Sequence, residues 1–394
     1  MEKRTGLLSN LVIWFGVAIS VSEIEAGIEI GAASPLSSLW LPLVLGHLLG
    51  GVLLFLVGYI GASVRKNAME VTSSAYGKYG SKFFAVLNVM QLVAWIAVLN
   101  AQGASALESL NLPISFAATC IILAALIAVW VYLGLQKVTK ITTAVMTVLT
   151  VLLVILTFKL FGLGSANAVT HTIATQSLGF WNIFEISIAM PISWFPVISD
   201  YTKEVEKPLE ATAVSAIAYT LASLWMYFIG IEIAGIGPNY TIAQSILLAN
   251  LGTAGIIIVV LSTVTTNFMA ANSAGESSKV ILNRLNPKTV GVVVCAISAA
   301  LAISGIMDHY IDFLYLIASV FAPMAAVLLV SFYVTKSDSG DRRIWYWNMF
   351  SWLAGFIVYN ITINLDSIFL GPTLLSVIVS AVLAYAGAFL FKKN

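Results

Sequence analysis

The sequence predicts an all-α integral membrane protein with twelve transmembrane helices, and three observations carry that prediction. Of its 394 residues, 60% are hydrophobic and only 9% are charged, against about 25% charged in ordinary soluble proteins. The mean hydropathy of +0.97 arises from apolar runs close to the roughly 20 residues that one bilayer crossing needs. Lysine and arginine, finally, fall in alternate intervals between those runs. The composition excludes a soluble globular enzyme. A net charge of +1, from 19 Lys+Arg against 18 Asp+Glu, leaves no basic surplus for a phosphate backbone, so no nucleic-acid partner is expected. Cys120 and Cys295 lie inside apolar runs without C-x-x-C spacing, which supplies neither a disulfide framework nor a zinc site.

The runs place helices near residues 11–33, 37–62, 83–107, 115–135, 141–163, 181–202, 211–236, 253–276, 290–306, 310–335, 349–365 and 371–391. The first follows Arg4 and carries Glu23, Glu25 and Glu29, which argue against a cleaved signal peptide. A continuous helix would aim Glu23 and Glu25 about 200° apart. The sequence therefore predicts a local unwinding near Ser20 to Glu25, with a functional Glu23 and with Glu29 hydrated at the outer interface. In the second helix, Gly46, Gly50, Gly51, Gly58 and Gly61 read as close helix packing, and His47 as a satisfied packing residue.

The third helix carries Asn88, Gln91, Trp95, Asn100 and Gln102, with Gln91 and Trp95 on one face at four-residue spacing. The fourth and fifth are apolar and are separated by Lys137 and Lys140. In the sixth, Pro191 and Pro196 each remove a backbone donor, which predicts a broken or strongly kinked helix with Ser193 and Trp194 between the prolines. The eighth places Ser262, Thr265 and Thr266 on one face, with Asn267 and Asn272 following. Oxygen ligands of this kind suit a hard cation. The seventh and the last four are read from their apolar runs alone.

The charges test the threading. One side collects Lys3 and Arg4; Arg65, Lys66, Lys78 and Lys82; Lys137 and Lys140; Lys203 and Lys207; Lys279, Arg284 and Lys288; Lys336, Arg342 and Arg343; and Lys392 and Lys393. Lys159 alone falls on the other. Both termini are expected in the cytoplasm of a multi-pass plasma-membrane protein. The tripeptide Asn239-Tyr-Thr falls in an outer loop and carries no weight.

The interrupted helices are the first and sixth, and most of the remaining mid-membrane polarity sits on the third and eighth. Members of each pair are five helices apart, which predicts two five-helix repeats of inverted topology with substrate held where the broken helices meet. The whole chain, 1–394, then reads as a single transporter domain, with repeat one about 11–163, repeat two about 181–335, and two extra helices about 349–391.

Three short segments carry a resemblance. Trp14-Phe-Gly followed by Ser22-Glu-Ile, Trp194-Phe-Pro with Ser199-Asp-Tyr, and Thr265-Thr-Asn together resemble the nucleobase:cation symporter-1 family. The Ser-Glu-Ile first helix is most similar to the branch called CytX, hydroxymethylpyrimidine permeases of thiamine salvage. In layout the resemblance covers essentially the whole chain. It implies a leucine-transporter-like fold, sodium or proton coupling, and alternating access around a flat heterocycle. It further implies that Trp95 stacks on the ring, that Gln91 or a neighbour supplies an amide, and that Ser193, Asn267 and Asn272 contact substrate. Thr265 and Thr266 would match the paired hydroxyls of a cation site, with Ser262 one turn earlier and the backbone carbonyl of Ile19 from the unwound helix.

Glu23 departs from the better-known members, which carry an amide or a small residue near this position. A carboxylate there accepts from an exocyclic amine and from a protonated ring nitrogen beside it, with Ser22 next to it and Trp95 and Trp194 placed to sandwich the ring. Uracil, whose edge alternates carbonyls and N–H groups, fits worse. The leading reading is a symporter for hydroxymethylpyrimidine or a related thiamine-precursor pyrimidine; the alternative is a cytosine, purine or allantoin permease. No cofactor is expected. The neutral hydroxyls point to sodium as the coupling ion, with a proton as the alternative. The partners are then the heterocycle and the lipid bilayer, and the sequence leaves monomer and oligomer open. A membrane-embedded enzyme is disfavoured, because His47, His171 and His309 lie far apart and join no catalytic constellation. A channel is disfavoured by the lack of a filter motif.

Overall fold

The computed structural model describes residues 4–108, 113–166, 178–237, 242, 252–336, 341–365 and 369–391. Lys3, His171, the Asn239-Tyr-Thr tripeptide, Lys392 and Lys393 lie outside the described residues. Each predicted run has a helical counterpart: α1 (Leu7–Ala18) with α2 (Val21–Ala33), α3 (Leu36–Val64), α4 (Ala68–Glu108), α5 (Phe116–Leu133) and α6 (Leu135–Ala166). Then follow α7 (Phe180–Ser193) with α8 (Phe195–Thr202), α9 (Pro208–Ile236), α10 (Gly252–Ile281), α11 (Pro287–Ile303), α12 (Tyr310–Leu329), α13 (Arg342–Thr362) and α14 (Pro372–Leu390). Among the described residues, nine spans are long and apolar enough to cross a bilayer, and α1 with α2, bent by 48°, makes a tenth. At 17 residues α11 is shorter, and α13, which opens on Arg342 and Arg343, is also outside that set. Length and hydropathy thus support ten of the twelve expected crossings.

Glycines set the spacing of the central helices. A Cβ at Gly27 would stand 2.3 Å from the Tyr227 carbonyl oxygen, and one at Gly230 only 2.1 Å from that of Ile24. Hydrogen in place of a side chain therefore lets α2 and α9 run backbone against backbone. The glycines of α3 act as the sequence suggested: a Cβ at Gly46, Gly50 or Gly61 would strike Ser187, Pro191 or Ser199 of α7 and α8. Inside α4, Gly77 has φ 67°, a conformation that costs glycine little, and the helix starts afresh there against Trp345.

The helix ends that carry Arg65 and Lys203 come together at one end of the bundle. The Thr5 amide donates to the Glu204 carbonyl at 2.9 Å, and the Glu206 amide to the Thr5 carbonyl at 3.1 Å. Arg65 donates to the Lys203 carbonyl at 3.1 Å. Lys203 Nζ pairs with Glu276 at 2.9 Å, and Asp200 accepts from the Ala68 amide at 2.9 Å and from Ser273. Burial disfavours the Lys203 ammonium, but Glu276 and Asp200 beside it hold its proton more tightly than usual. These contacts tie α1, α3, α4, α8 and α10 into one closed end.

Candidate functional site

The break between α1 and α2 is confined to Ile19 (φ −77°, ψ 81°) and Ser20 (φ −131°, ψ 153°). It is shorter than the stretch expected from Ser20 to Glu25. The reason is local: Ser20 Oγ accepts from the Glu23 amide at 3.2 Å and so caps α2, which starts the second helix early and places Glu23 in its first turn. Carbonyls freed from α1 are met by α10. Ser262 Oγ donates to the Ile19 carbonyl at 2.9 Å and Thr266 Oγ1 to that of Val17 at 3.4 Å. Thr265 instead donates to its own helix, to Leu261 at 2.7 Å and Ser262 at 3.2 Å. The Val17 and Ile19 carbonyls with the Ser262 and Thr266 hydroxyls make an all-oxygen, untitratable donor set, which fits a hard monovalent cation.

The second break is smaller. Trp194 separates α7 from α8 with φ −95° and ψ −5°, and the two pieces continue as one span of 23 residues. Pro196 lies in the first turn of α8, where a missing N–H costs nothing, so of the break or strong kink expected from two prolines the structure has the break, as a one-residue interruption. The carbonyls it exposes are satisfied from α4. Gln91 Nε2 donates to the Ser193 carbonyl at 3.1 Å and to Asn88 Oδ1 at 2.8 Å, while Asn88 Nδ2 donates to the Pro196 carbonyl at 2.9 Å.

Between the two breaks lies a small, partly open cavity. Its polar lining is Ser20, Ser22, Glu23, Ser193 and Thr266, and its aromatic lining is Trp95 and Trp194, with Val17, Leu92, Leu99, Met190 and Ala270 completing it. Trp194 stands edge-on to Trp14, 5.8 Å between centroids, and Trp95 edge-on to Phe313 at 5.2 Å. Ser22 Oγ donates to Gln102 Oε1 at 2.7 Å, and the Ser22 carbonyl accepts from Tyr310 at 3.0 Å. Ser193 Oγ donates to the Met190 carbonyl at 2.6 Å. Glu23, 2% exposed, accepts from Tyr219 at 2.9 Å on Oε1 and from Ser223 at 2.7 Å on Oε2. Glu25 is half-buried and Glu29 exposed.

The structure therefore brings Ser22, Glu23, Trp95, Ser193, Trp194 and Thr266 around one cavity, with Ile19 and Ser262 immediately beside it. Gln91, Asn267 and Asn272 stand outside its lining. Gln91 faces the break in α7 and α8; Asn267 Nδ2 reaches the Ile96 carbonyl at 3.5 Å; Asn272 Nδ2 reaches Tyr201 at 3.3 Å. Several buried polar atoms here have no hydrogen-bond partner, among them Trp95 Nε1, Gln91 Oε1, Gln102 Nε2 and Asn267 Oδ1. Sequence reasoning missed Tyr219 and Ser223; their four-residue spacing, which puts both on one face of the helix, was the available signal. His309 lies 4.0 Å from Asp312 with both side chains largely exposed, as solvated charge.

The chain matches, over residues 1–389, the family model described as permease for cytosine/purines, uracil, thiamine, allantoin. It is 21% identical over 344 residues to the cytosine permease of Escherichia coli (strain K12), covering 84% of this chain and 79% of that protein. Among solved structures it resembles Mhp1, a nucleobase-cation-symport-1 family transporter, in a closed conformation with bromovinylhydantoin bound. There the TM-score is 0.76 at 18% identity, over 98% of this chain and 93% of that one. A Na+-coupled sialic acid symporter in a substrate-bound outward-open state follows with a TM-score of 0.70 at 15% identity, covering 97% and 90%.

Proposed function

Because the chain belongs to the family of permeases for cytosine/purines, uracil, thiamine and allantoin, and is a secondary transporter rather than an enzyme, we propose that it imports hydroxymethylpyrimidine or a related thiamine-precursor aminopyrimidine by cation symport. The observation that carries this reading is one carboxylate, Glu23, and two indoles, Trp95 and Trp194, on the wall of a single cavity at the helix breaks. A carboxylate has four acceptor positions, and Tyr219 and Ser223 engage Glu23 with one bond to each oxygen. The remaining lone pairs suit an exocyclic amine and a protonated ring nitrogen beside it. The indole faces suit a flat ring, and the Trp95 N–H suits a substrate acceptor. Cytosine offers the same amine-bearing edge, and similarity to a cytosine permease favours it as the second reading.

Sodium is the proposed coupling ion, held by the Val17 and Ile19 carbonyls with Ser262 and Thr266. Its site would share the α1 break with the substrate cavity, so that each occupant stabilises the geometry the other needs. Thr265, turned to its own helix, would join after a rotamer change. We further propose twelve crossings in a plasma membrane with both termini cytoplasmic, in two inverted five-helix repeats, about 11–163 and 181–335, followed by two extra helices. The closed end built on Arg65, Lys203 and Glu276 is then the cytoplasmic gate. Thermal-shift screening of pyrimidines and purines with and without sodium tests substrate and ion together, since a true ligand stabilises by mass action. Proteoliposome counterflow of labelled hydroxymethylpyrimidine and cytosine tests carriage. Stabilisation by purines alone would overturn the pyrimidine assignment.

A further inference from the structure

Behind Glu23 runs a hydrogen-bonded chain that the substrate reading does not use. His47 of α3 is fully buried, at 0% exposure. Its Nε2 lies 2.8 Å from Ser223 Oγ, the same hydroxyl that bonds Glu23 Oε2 at 2.7 Å. Its Nδ1 lies 2.6 Å from Ser187 Oγ and 3.2 Å from the Leu43 carbonyl. Ser187 Oγ is itself 2.6 Å from the Leu43 carbonyl. The line from the cavity wall inward is Glu23, Ser223, His47, Ser187.

Counting hydrogens fixes most of this chain. Ser187 Oγ donates to the Leu43 carbonyl across 2.6 Å, a separation two oxygens hold only with a hydrogen between them, so Ser187 Oγ accepts from Nδ1–H. Tyr219 donates to Glu23 Oε1. Two acceptors, Glu23 Oε2 and His47 Nε2, then face each other across the one hydroxyl of Ser223. With only the Ser223 hydrogen between them, one of the two is unpaired and a net negative charge is buried, both costly in a low-dielectric interior. One additional proton satisfies every group. We propose that Glu23, Ser223 and His47 form a proton-binding site beside the substrate cavity, loaded when carboxylate and imidazole share one proton through the Ser223 hydroxyl.

The loaded site has two arrangements. In one, Nε2–H donates to Ser223 Oγ and the Ser223 hydrogen bonds a charged carboxylate. In the other, the Nε2–H and Ser223 O–H bonds break as a new Ser223 O–H and a new Glu23 Oε2–H form, leaving neutral acid and neutral imidazole. Net charge is zero in both, so the loaded site crosses the bilayer interior without an unpaired ion. A substrate amine that donates to Glu23 selects the first arrangement, with the proton on His47. The proton is therefore carried with the aminopyrimidine, alongside the sodium ion proposed above rather than in its place. This coupling, though not the proton site itself, rests on the substrate reading above.

The other titratable groups facing the pair are accounted for. Tyr219 and Tyr227 come from α9; the Tyr227 ring stands 4.7 Å from that of His47, and its hydroxyl donates to the Ile186 carbonyl at 3.2 Å. Tyr310 donates to the Ser22 carbonyl. Glu25 and Glu29 follow on α2 itself. Glu185 of α7 accepts from the Thr373 amide at 3.0 Å and from Tyr359 at 3.3 Å.

The chain has three histidines, which makes 15N-histidine NMR of the purified full-length protein practicable, with His47→Asn assigning the His47 signals. In wild type near neutral pH, Nε2 of His47 should be protonated or exchange-averaged toward protonation, and cytosine should move it further toward imidazolium. In folded Ser223→Ala and Glu23→Gln it should report a bare imine nitrogen. A bare Nε2 in the wild type, or signals identical in wild type and either variant, overturns the site, and the wild-type spectrum alone decides if the variants fail to fold. Proteoliposomes with a pH dye inside provide the coupling arm. Cytosine should drive proton entry with wild type and at least tenfold less with Ser223→Ala. Cytosine uptake without proton movement overturns the coupling. If neither cytosine nor hydroxymethylpyrimidine binds wild type, the substrate reading fails while the NMR arm still decides the proton site.

Discussion

Replacing Gly230 by alanine adds one methyl group at the point where α2 and α9 meet, and its effect can be worked from the geometry. The new Cβ would stand 2.1 Å from the Ile24 carbonyl oxygen and 2.8 Å from Gly27 Cα. Both are backbone atoms, so no side chain can swing aside. Reaching the 3.4 Å of ordinary contact requires the helices to part by about 1.3 Å. Ser223 and Tyr219, two and three turns along α9, bond Glu23 at 2.7 and 2.9 Å. Parting by that amount carries these bonds past the distance at which a hydrogen bond holds. Loss of one bond to a charged group costs about 1.5–3 kcal/mol, and overpacking adds about 1–3 kcal/mol. A total of about 2.5–6 kcal/mol is expected, together with a Glu23 no longer aimed at the cavity. Gly179→Ala is the matched control: a Cβ there meets nothing within 4 Å, and its cost should stay within about 0.5 kcal/mol. Thermal unfolding in one detergent and titration with cytosine and hydroxymethylpyrimidine read both effects. Gly230→Ala should melt well below Gly179→Ala and bind at least tenfold more weakly. Equal melting and equal affinity for the two variants would refute the backbone-contact argument.

Glu23→Gln should lower affinity for an aminopyrimidine by about ten- to a hundredfold, corresponding to about 1.5–3 kcal/mol for a hydrogen bond to a charged group, whereas exposed Glu29→Gln should change it little; a binding titration of folded variants in which Glu23→Gln equals wild type would make that carboxylate purely structural. Thr266→Ala removes a hydroxyl from the proposed cation site and should raise the sodium concentration needed for half-maximal uptake, so an unchanged sodium dependence in proteoliposomes sinks the site. Tags at each terminus, tested for accessibility in sealed cells, should both be reachable only from inside; an outside terminus overturns the orientation.

The sequence by itself determined where the helices run, because apolar runs in a bilayer have nowhere else to satisfy their backbone. It also located the first break, since Ser20 among small and polar residues marks a helix end, and it identified Ser22, Glu23, Trp95, Ser193, Trp194, Ile19, Ser262 and Thr266, which the fold gathers at or beside one cavity. Helical periodicity states which face a side chain occupies; it does not say which other helix that face will meet. Gln91 was therefore legible as polar and inward, yet its amide nitrogen is spent on the Ser193 carbonyl beside the break and on Asn88. Asn267 and Asn272 share a helix with Ser262 and Thr266 but stand outside the cavity lining. Glu23 bonds Tyr219 and Ser223, 196 and 200 residues away, and through Ser223 it reaches a histidine that reads, in sequence, as mere packing. Only the tertiary structure decided those partners, because they depend on a backbone approach at Gly27 and Gly230 that brings α2 against α9, and helix crossings of that kind are set by contacts distant in sequence.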